Sequence, residues 1–268
     1  MDNGSEHAIN IDSAIFCDSL IPILERIRDN ELEVCAILDF FLGKPYLAAS
    51  LECDVERLIV NFREFDCFTY WETVAALYAQ AKNRACSLDF NTYKKILTLL
   101  RYDGNKIYGY SSRKHYTTEW IADNSDNGII VELTGNYGGV PLDKEINFMS
   151  ENSSKYMALA NKPEELQKIK NKEAKLSEIK VCYIPKTSIS KLNRKQVSDG
   201  DLIALLTNIK GLDVAHVGFA RWRNNVLCLQ HASSQNMEVE ISEEALFDYV
   251  MRSKHLIGIR VARLVVPL

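Results

Sequence analysis

The chain has no basic excess. Its 32 Lys and Arg face 36 Asp and Glu, a formal charge of −4. A dedicated nucleic-acid surface needs clustered positive charge, so none is expected. Long apolar runs are also missing. The richest stretch, Ile37-Leu38-Asp39-Phe40-Phe41-Leu42, falls well short of the ~20 residues that span a bilayer as a helix. The first dozen residues are polar and do not read as a secretory leader. The seven cysteines, at 17, 35, 53, 67, 86, 182 and 228, contain no C-x-x-C pair and no tight disulfide framework. Cys228 and His231 are close in sequence, but on a strand they point to opposite faces. With no second ligand pair of zinc spacing, no metal and no cofactor is expected. Repeats and low-complexity segments are absent.

What remains is ordinary globular composition, 47% apolar and 25% charged over 268 residues, enough for a sizeable core. One domain over 1–268 is expected, with helices in 1–45 and a loop-rich insertion over 101–180. Apolar spacing predicts an amphipathic helix over 12–29, with Pro22 in its middle. A second helix is read from about Glu31 to Leu42, stopped by Gly43. Helices are expected at 67–82, at 89–100 starting from Asp89, and at 163–178 opened by Pro163. The last of these is charged and reads as a solvated face. Strands are read at 129–133, 181–184, 201–207, 214–221, 226–231, 237–241 and 257–266, with a short helix at 243–252 and a hairpin turn at Arg223-Asn224-Asn225. Helices followed by an antiparallel sheet define an α+β fold.

The stretch that organises the rest is Asp66-Cys67-Phe68-Thr69-Tyr70-Trp71-Glu72. Asp66 reads as an N-cap, which puts Cys67 in the first helical turn. Free N–H groups and the helix dipole there favour a thiolate. The competing reading of a lone Cys is a small buried apolar side chain. Of only five histidines, at 7, 115, 216, 231 and 255, two sit on strands. Val214, His216, Gly218 and Ala220 share one face by alternation, and the small residues would let the Cys67 helix lie close. Leu227, Leu229 and His231 share a face of the next strand. A hairpin can bring His231 to His216, giving nucleophile, base and orienting residue. His7 and His255 stand outside this pattern. Region 101–150 is rich in aromatic and polar residues and suits a ligand cleft.

Asp66-Cys67 opening a helix, His216-Val217-Gly218 on a strand and His231-Ala232-Ser233 on the next resemble the NlpC/P60 cysteine peptidase superfamily. Gly43-Lys44-Pro45-Tyr46-Leu47-Ala48-Ala49 matches the first half of that group's G-x-x-Y-x-x-G-G stretch. Ala48 and Ala49 replace the glycines, and the gap to Cys67 is longer. Tyr110-Ser111-Ser112-Arg113-Lys114-His115-Tyr116, Ile146-Asn147-Phe148-Met149-Ser150, Tyr183-Ile184-Pro185-Lys186, Gly200-Asp201-Leu202-Ile203-Ala204 and His231-Ala232-Ser233-Ser234 extend the resemblance to the DUF1460 branch. The resemblance runs from about Ile15 to Arg263.

That resemblance implies a papain-like core, a Cys-bearing helix packed on an antiparallel sheet. It implies an N-acetylmuramoyl-L-alanine amidase that cuts between the muramoyl lactyl group and L-Ala, with a preference for small 1,6-anhydro muropeptides. Cys67, His216, His231 and Tyr46 would be catalytic. Arg113, His115, Tyr116, Trp120, Asp213 and Ser234 would meet substrate, with the insertion as recognition wall. Against this, Arg113 can simply clamp a loop carbonyl, and Glu72 can pair inside the fold. The expected partner is a small GlcNAc-anhydroMurNAc-peptide, the expected state a monomer. A wall-derived substrate implies the periplasm or cell envelope, with cytoplasmic recycling as the alternative. The other functional readings are a γ-D-Glu–diamino acid endopeptidase and a non-catalytic muropeptide-binding protein.

Overall fold

A computed structural model describes residues 10–265. His7 and the last residue of the expected final strand lie outside them. The first helix is one continuous element that changes register. It widens into a π-helical turn over Phe16–Leu20 and resumes as α1, Ile21–Arg28. Ile21 N–H bonds Phe16 O just before Pro22. Proline has no N–H and clashes with the carbonyl four residues back, so the extra residue of the π turn admits it without a break. The second helix is shorter than expected, Cys35–Phe40 (α2). Gly43 ends the following turn at φ +75°.

The helix α3 spans Cys67–Lys82 and α4 spans Phe90–Arg101. Each begins on an aspartate that accepts the N3 amide, Asp66 from Thr69 and Asp89 from Thr92. Between Asp126 and the sheet the chain adds β1, Ile130–Glu132, and β2, Val140–Leu142. A helix not expected in this region, α5, covers Thr117–Asp126. Its apolar stripe is brief, Trp120 and Ile121, and the rest of its inner face is polar, which masks the periodicity. The helix α6, Pro163–Glu178, has the expected bounds but is not simply a solvated face. Ile169, Glu173 and Leu176 are buried, because they recur at i, i+4 and i+7.

The remaining strands are β3 (Val181–Pro185), β4 (Leu202–Thr207), β5 (Val214–Arg223), β6 (Val226–Ser233), β7 (Glu238–Ile241) and β8 (Leu256–Leu264), with α7 (Leu246–Arg252) before the last. They form an antiparallel sheet in the order β2-β3-β8-β4-β5-β6-β7, with β1 also on β8. The C-terminal strand therefore sits inside the sheet. Asn224 and Asn225 both take positive φ at the β5–β6 turn, the conformation a two-residue hairpin requires. Among the described residues no helix is long and apolar enough to cross a membrane.

Helix α3 lies on one sheet face, against Leu202, Ala204, Val217 and Phe219, and α1, α2 and α4 pack around it. α7 covers the other through Leu205, Ala220, Leu229 and Val250. The insertion closes its own small core around Tyr116, Met149 and Ile169. Beneath α3 lies a buried ion pair, Arg101 Nε to Glu72 Oε2 at 2.7 Å. Trp120 Nε1 donates to the other Glu72 oxygen at 3.2 Å. Removing one partner strands a buried charge. Glu72→Ala should cost about 3–5 kcal/mol of unfolding free energy by urea titration.

Candidate active site

Cys67 stands where the sequence places it, at the first residue of α3. A capping box holds the helix start: Thr69 N–H reaches Asp66 Oδ1 at 2.7 Å, and Asp66 N–H returns to Thr69 Oγ1 at 3.0 Å. Ser50 Oγ donates to the other Asp66 oxygen at 2.6 Å. The backbone N–H groups of Val217, Phe68 and Cys67 itself lie close enough to the thiol to favour its charged form. Val217 has an N–H to give because β5 and β6 pair only from Phe219–Gln230 to Arg223–Val226. Beyond that point the two strands separate.

The histidines meet in that separation. His216 Nε2 lies 2.6 Å from His231 Nδ1, with ring centroids 4.8 Å apart at 85°. One nitrogen donates and the other accepts. With Nε2 engaged, Nδ1 is the His216 nitrogen left for a thiol proton. The expected face needs correction. A register shift in the β4–β5 pairing lets Leu205 face His216 and Leu206 face Val214, skipping Ala215. Val214, Val217 and Phe219 therefore pack with the α3 side, while Ala220 lies on the α7 side. Gly218 does not make room for α3. A Cβ there would come within 2.8 Å of Gln230 O and 3.0 Å of His231 Cβ, so its smallness lets His231 approach.

Tyr46 reaches the same place by a backbone strap. Its N–H donates to Met237 O at 2.8 Å, Leu47 N–H to Phe65 O at 2.9 Å, and Val239 N–H to Lys44 O at 2.7 Å. The strap ties β7 to the segment before Cys67. Burial raises the Tyr46 phenol above its ordinary pKa, and Cys67 and Asp66 beside it add to the shift. Sequence reasoning missed Tyr249 on α7, edge-on to His231 at 5.6 Å. It missed Glu240 as well, which pairs across the strands with His231. Neither has a local signal, since both arrive by sheet order.

The electrostatics differ from expectation. Burial pushes the Cys67 thiol up to about 12, and the Asp66 charge adds to it; the N–H groups of Val217, Cys67 and Phe68 only partly oppose this. Burial also takes His216 down to about 3, with His231 adding to the shift, and His231 itself down to about 4. Burial thus acts against the charged form of the thiol and of both imidazoles, and opposes the help that the helix start gives a thiolate.

A cleft of about 250 Å³ opens beside the helix start, with Asp66 and Phe68 in its lining and Arg113, His115, Tyr116 and Tyr156 further along. Its lining joins residues of 101–180 and Leu212 to Ala49, Leu51 and Glu52 from before the helix. Arg113 is buried and clamps Leu51 O at 3.1 Å and Glu52 Oε1 at 2.8 Å over the Tyr110 ring. His115 Nε2–H donates to Tyr110 O at 2.8 Å. Tyr116 donates to Glu173 at 2.7 Å and accepts Met149 N–H at 2.9 Å. Three expected substrate residues lie elsewhere. Trp120 is fully buried against Trp71 at 4.6 Å. Asp213 is buried and accepts the Thr118 and Val214 amides, both at 2.7 Å. Ser234 is exposed on the β6–β7 turn. The first two carry polar groups whose bonds are met inside the fold.

The profile of the AmiA-like, N-acetylmuramoyl-L-alanine amidase-like family matches residues 36–259. A crystal structure of an N-acetylmuramoyl-L-alanine amidase from Bacteroides uniformis superposes with a TM-score of 0.80 at 36% identity, covering 87% of this chain and 98% of that one. A Bacteroides fragilis protein provisionally named a xylanase superposes at 0.78 with 34% identity, covering 85% and 99%. A Legionella pneumophila protein of the DUF1460 family shares the fold, at 0.67 and 22% identity over 94% and 97%. No curated protein matches the chain. The fold and these relatives define a hydrolase of the amidase class. The chain belongs to the N-acetylmuramoyl-L-alanine amidase-like family.

Two outcomes follow. Asp66→Asn keeps a capping oxygen but removes a charge that opposes the thiolate. Its Cys67 should alkylate faster than wild type at a given pH, read with iodoacetamide by mass spectrometry. The histidines set a pH dependence of stability. Their folded pKa values lie below the ordinary 6.5, so between about 6.5 and about 4 the unfolded chain binds protons the folded chain refuses. Stability is complete above that window and falls as pH falls through it, by up to about 1.4 kcal/mol per pH unit for each histidine. Half-buried His115, its pKa lowered by desolvation and by Arg113, contributes with the same sign. A His216→Gln/His231→Gln variant should show a shallower fall between pH 6.5 and 5 in urea titrations.

Proposed function

We propose that the chain is a cysteine-dependent N-acetylmuramoyl-L-alanine amidase of the NlpC/P60 type, acting on small, 1,6-anhydro muropeptides. The observation that carries this reading is the placement of Cys67, at a capped helix start, beside the Val217 N–H of β5, next along that strand from His216, whose ring contacts His231 where β5 and β6 part. Cys67 attacks the lactyl–L-Ala carbonyl as His216 takes its proton. The attack and the proton transfer proceed together, because burial acts against the charged form of both groups. Helix-start N–H groups and the Tyr46 hydroxyl hold the oxyanion. His216 then protonates the departing L-Ala amine, and water hydrolyses the thioester with His216 as base.

The sugar end occupies the cleft between Asp66 and the insertion wall. Tyr156 and His115, both partly exposed there, offer ring surface suited to a disaccharide. Arg113 acts by fixing this wall. A glycosidase would need two carboxylates free to flank a glycosidic bond. The cleft acids do not offer them: Asp66 is the helix cap, and Glu52 pairs with Arg113. A wall-derived substrate supports a place in the periplasm or envelope, with cytoplasmic recycling as the alternative.

Incubation with purified anhydro-disaccharide-tetrapeptide, followed by product masses, tests the reading. Free disaccharide and an intact peptide beginning with L-Ala are expected. A disaccharide retaining an L-Ala-D-Glu stub would instead identify a stem-peptide endopeptidase. Cys67→Ala should lower turnover by roughly 10³-fold or more. Undiminished turnover would end the cysteine mechanism.

A further inference from the structure

His231 carries a buried nitrogen without a partner. Its Nδ1 faces His216 at 2.6 Å, while its Nε2 is buried and makes no hydrogen bond to any described residue. The carboxylate beside it is Glu240, whose Oε1 stands 3.7 Å from that nitrogen. Glu240 is the direct cross-strand partner of His231. Its carboxylate is aimed from behind: Asn236 Nδ2 donates to both oxygens at 2.8 Å. Ser233 Oγ in turn accepts the Asn236 N–H at 3.1 Å. The other charged or titratable groups about His231 are Arg252 and Tyr249 on α7, and His216 on β5.

A neutral imidazole has one N–H, so the 2.6 Å contact has two possible arrangements. In the first, His216 Nε2–H donates to His231 Nδ1. The His231 proton is then on Nε2, directed at Glu240, and His216 Nδ1 keeps a lone pair. In the second, His231 Nδ1–H donates to His216 Nε2. The only His216 proton is then on Nδ1, which cannot accept another from the thiol. The His231 Nε2 lone pair would also face a carboxylate, which is repulsive. An acid beside Nε2 favours the first arrangement.

We propose that Glu240, aimed by Asn236, is a positioning residue that keeps the His231 proton on Nε2 and thereby leaves His216 Nδ1 free to take the Cys67 proton. The proposal rests on the reading of His216 as the base. In the step, the Sγ–H bond breaks and an N–H bond forms at His216 Nδ1. The resulting imidazolium keeps its Nε2–H on His231, and the proton later leaves from Nδ1 to the departing amine nitrogen. No proton moves to Glu240.

The test uses the full chain with ¹⁵N-labelled histidine, as wild type, Glu240→Ala, Glu240→Gln and Asn236→Ala. Imidazole ¹⁵N NMR reads the tautomer and needs no substrate. Wild type should show His231 protonated at Nε2 and bare at Nδ1. Glu240→Ala should populate the opposite tautomer. Glu240→Gln, whose amide oxygen still accepts, should keep the wild-type one. On the anhydro-disaccharide-tetrapeptide, Glu240→Ala should lower kcat by about 10–100-fold with KM nearly unchanged. Glu240→Gln should recover most of that loss, and Asn236→Ala should fall between. An unchanged tautomer in Glu240→Ala overturns the proposal. So does an unchanged kcat in Glu240→Ala while Cys67→Ala is inactive. If Glu240→Ala does not fold, Asn236→Ala carries the same two readouts. A wild-type protein that leaves the substrate intact refutes the amidase reading, and the tautomer shift still decides this one.

Discussion

The backbone bonds between β5 and β6 end at Phe219 and Gln230. A strand that loses its neighbour leaves buried N–H groups that must bond elsewhere. The Val217 N–H stands beside the Cys67 thiol and favours its charged form. The space between the parting strands takes two imidazoles, and Gly218 supplies the clearance for one of them. β6 then pairs with β7, which sets Glu240 opposite His231. The strap over residues 43–47 links β7 back to the segment that enters α3. One interruption in a regular ladder thus gathers thiol, imidazoles, phenol and carboxylate from distant parts of the chain.

Charge is rationed at this place. Asp66 caps α3 through the Thr69 amide, and the same carboxylate disfavours a thiolate one residue on. Burial acts on thiol and imidazoles in the same sense, since each loses the solvation of its charged form. The site is therefore poised to create charge during attack. The cleft wall follows a similar rule. Its buried guanidinium Arg113 is committed to Glu52, Leu51 and Tyr110. That commitment makes the wall rigid before any ligand arrives, which lowers the ordering cost of binding.

Much of this was legible where the signal is short in range. Asp66 and Asp89 mark helix starts because a cap needs only the next three residues. Pro163 opens α6 because the first turn has no use for its missing N–H. Asn224-Asn225 closes a hairpin because both positions tolerate positive φ. The helix Thr117–Asp126 was not legible, because its inner face is half polar. Asn124 is buried there only since Leu100 O and Trp120 O accept from it. Trp120 reads as a sugar-stacking side chain in isolation; Trp71 and Glu72, far away in sequence, make it a core residue.

Taken alone, the sequence determined an α+β chain, a capped helix that begins with Cys67, and two strand histidines one hairpin apart. These follow from hydrogen bonds and periodicities that span a few residues. Only the tertiary structure decided which sheet face His216 occupies, because one skipped residue at Ala215 reverses the alternation around it. It alone placed β8 inside the sheet and Glu240 beside His231. It also decided that burial opposes ionisation of the thiol. Desolvation and charge depend on everything packed around a group, and most of what surrounds Cys67 comes from residues far from it along the chain.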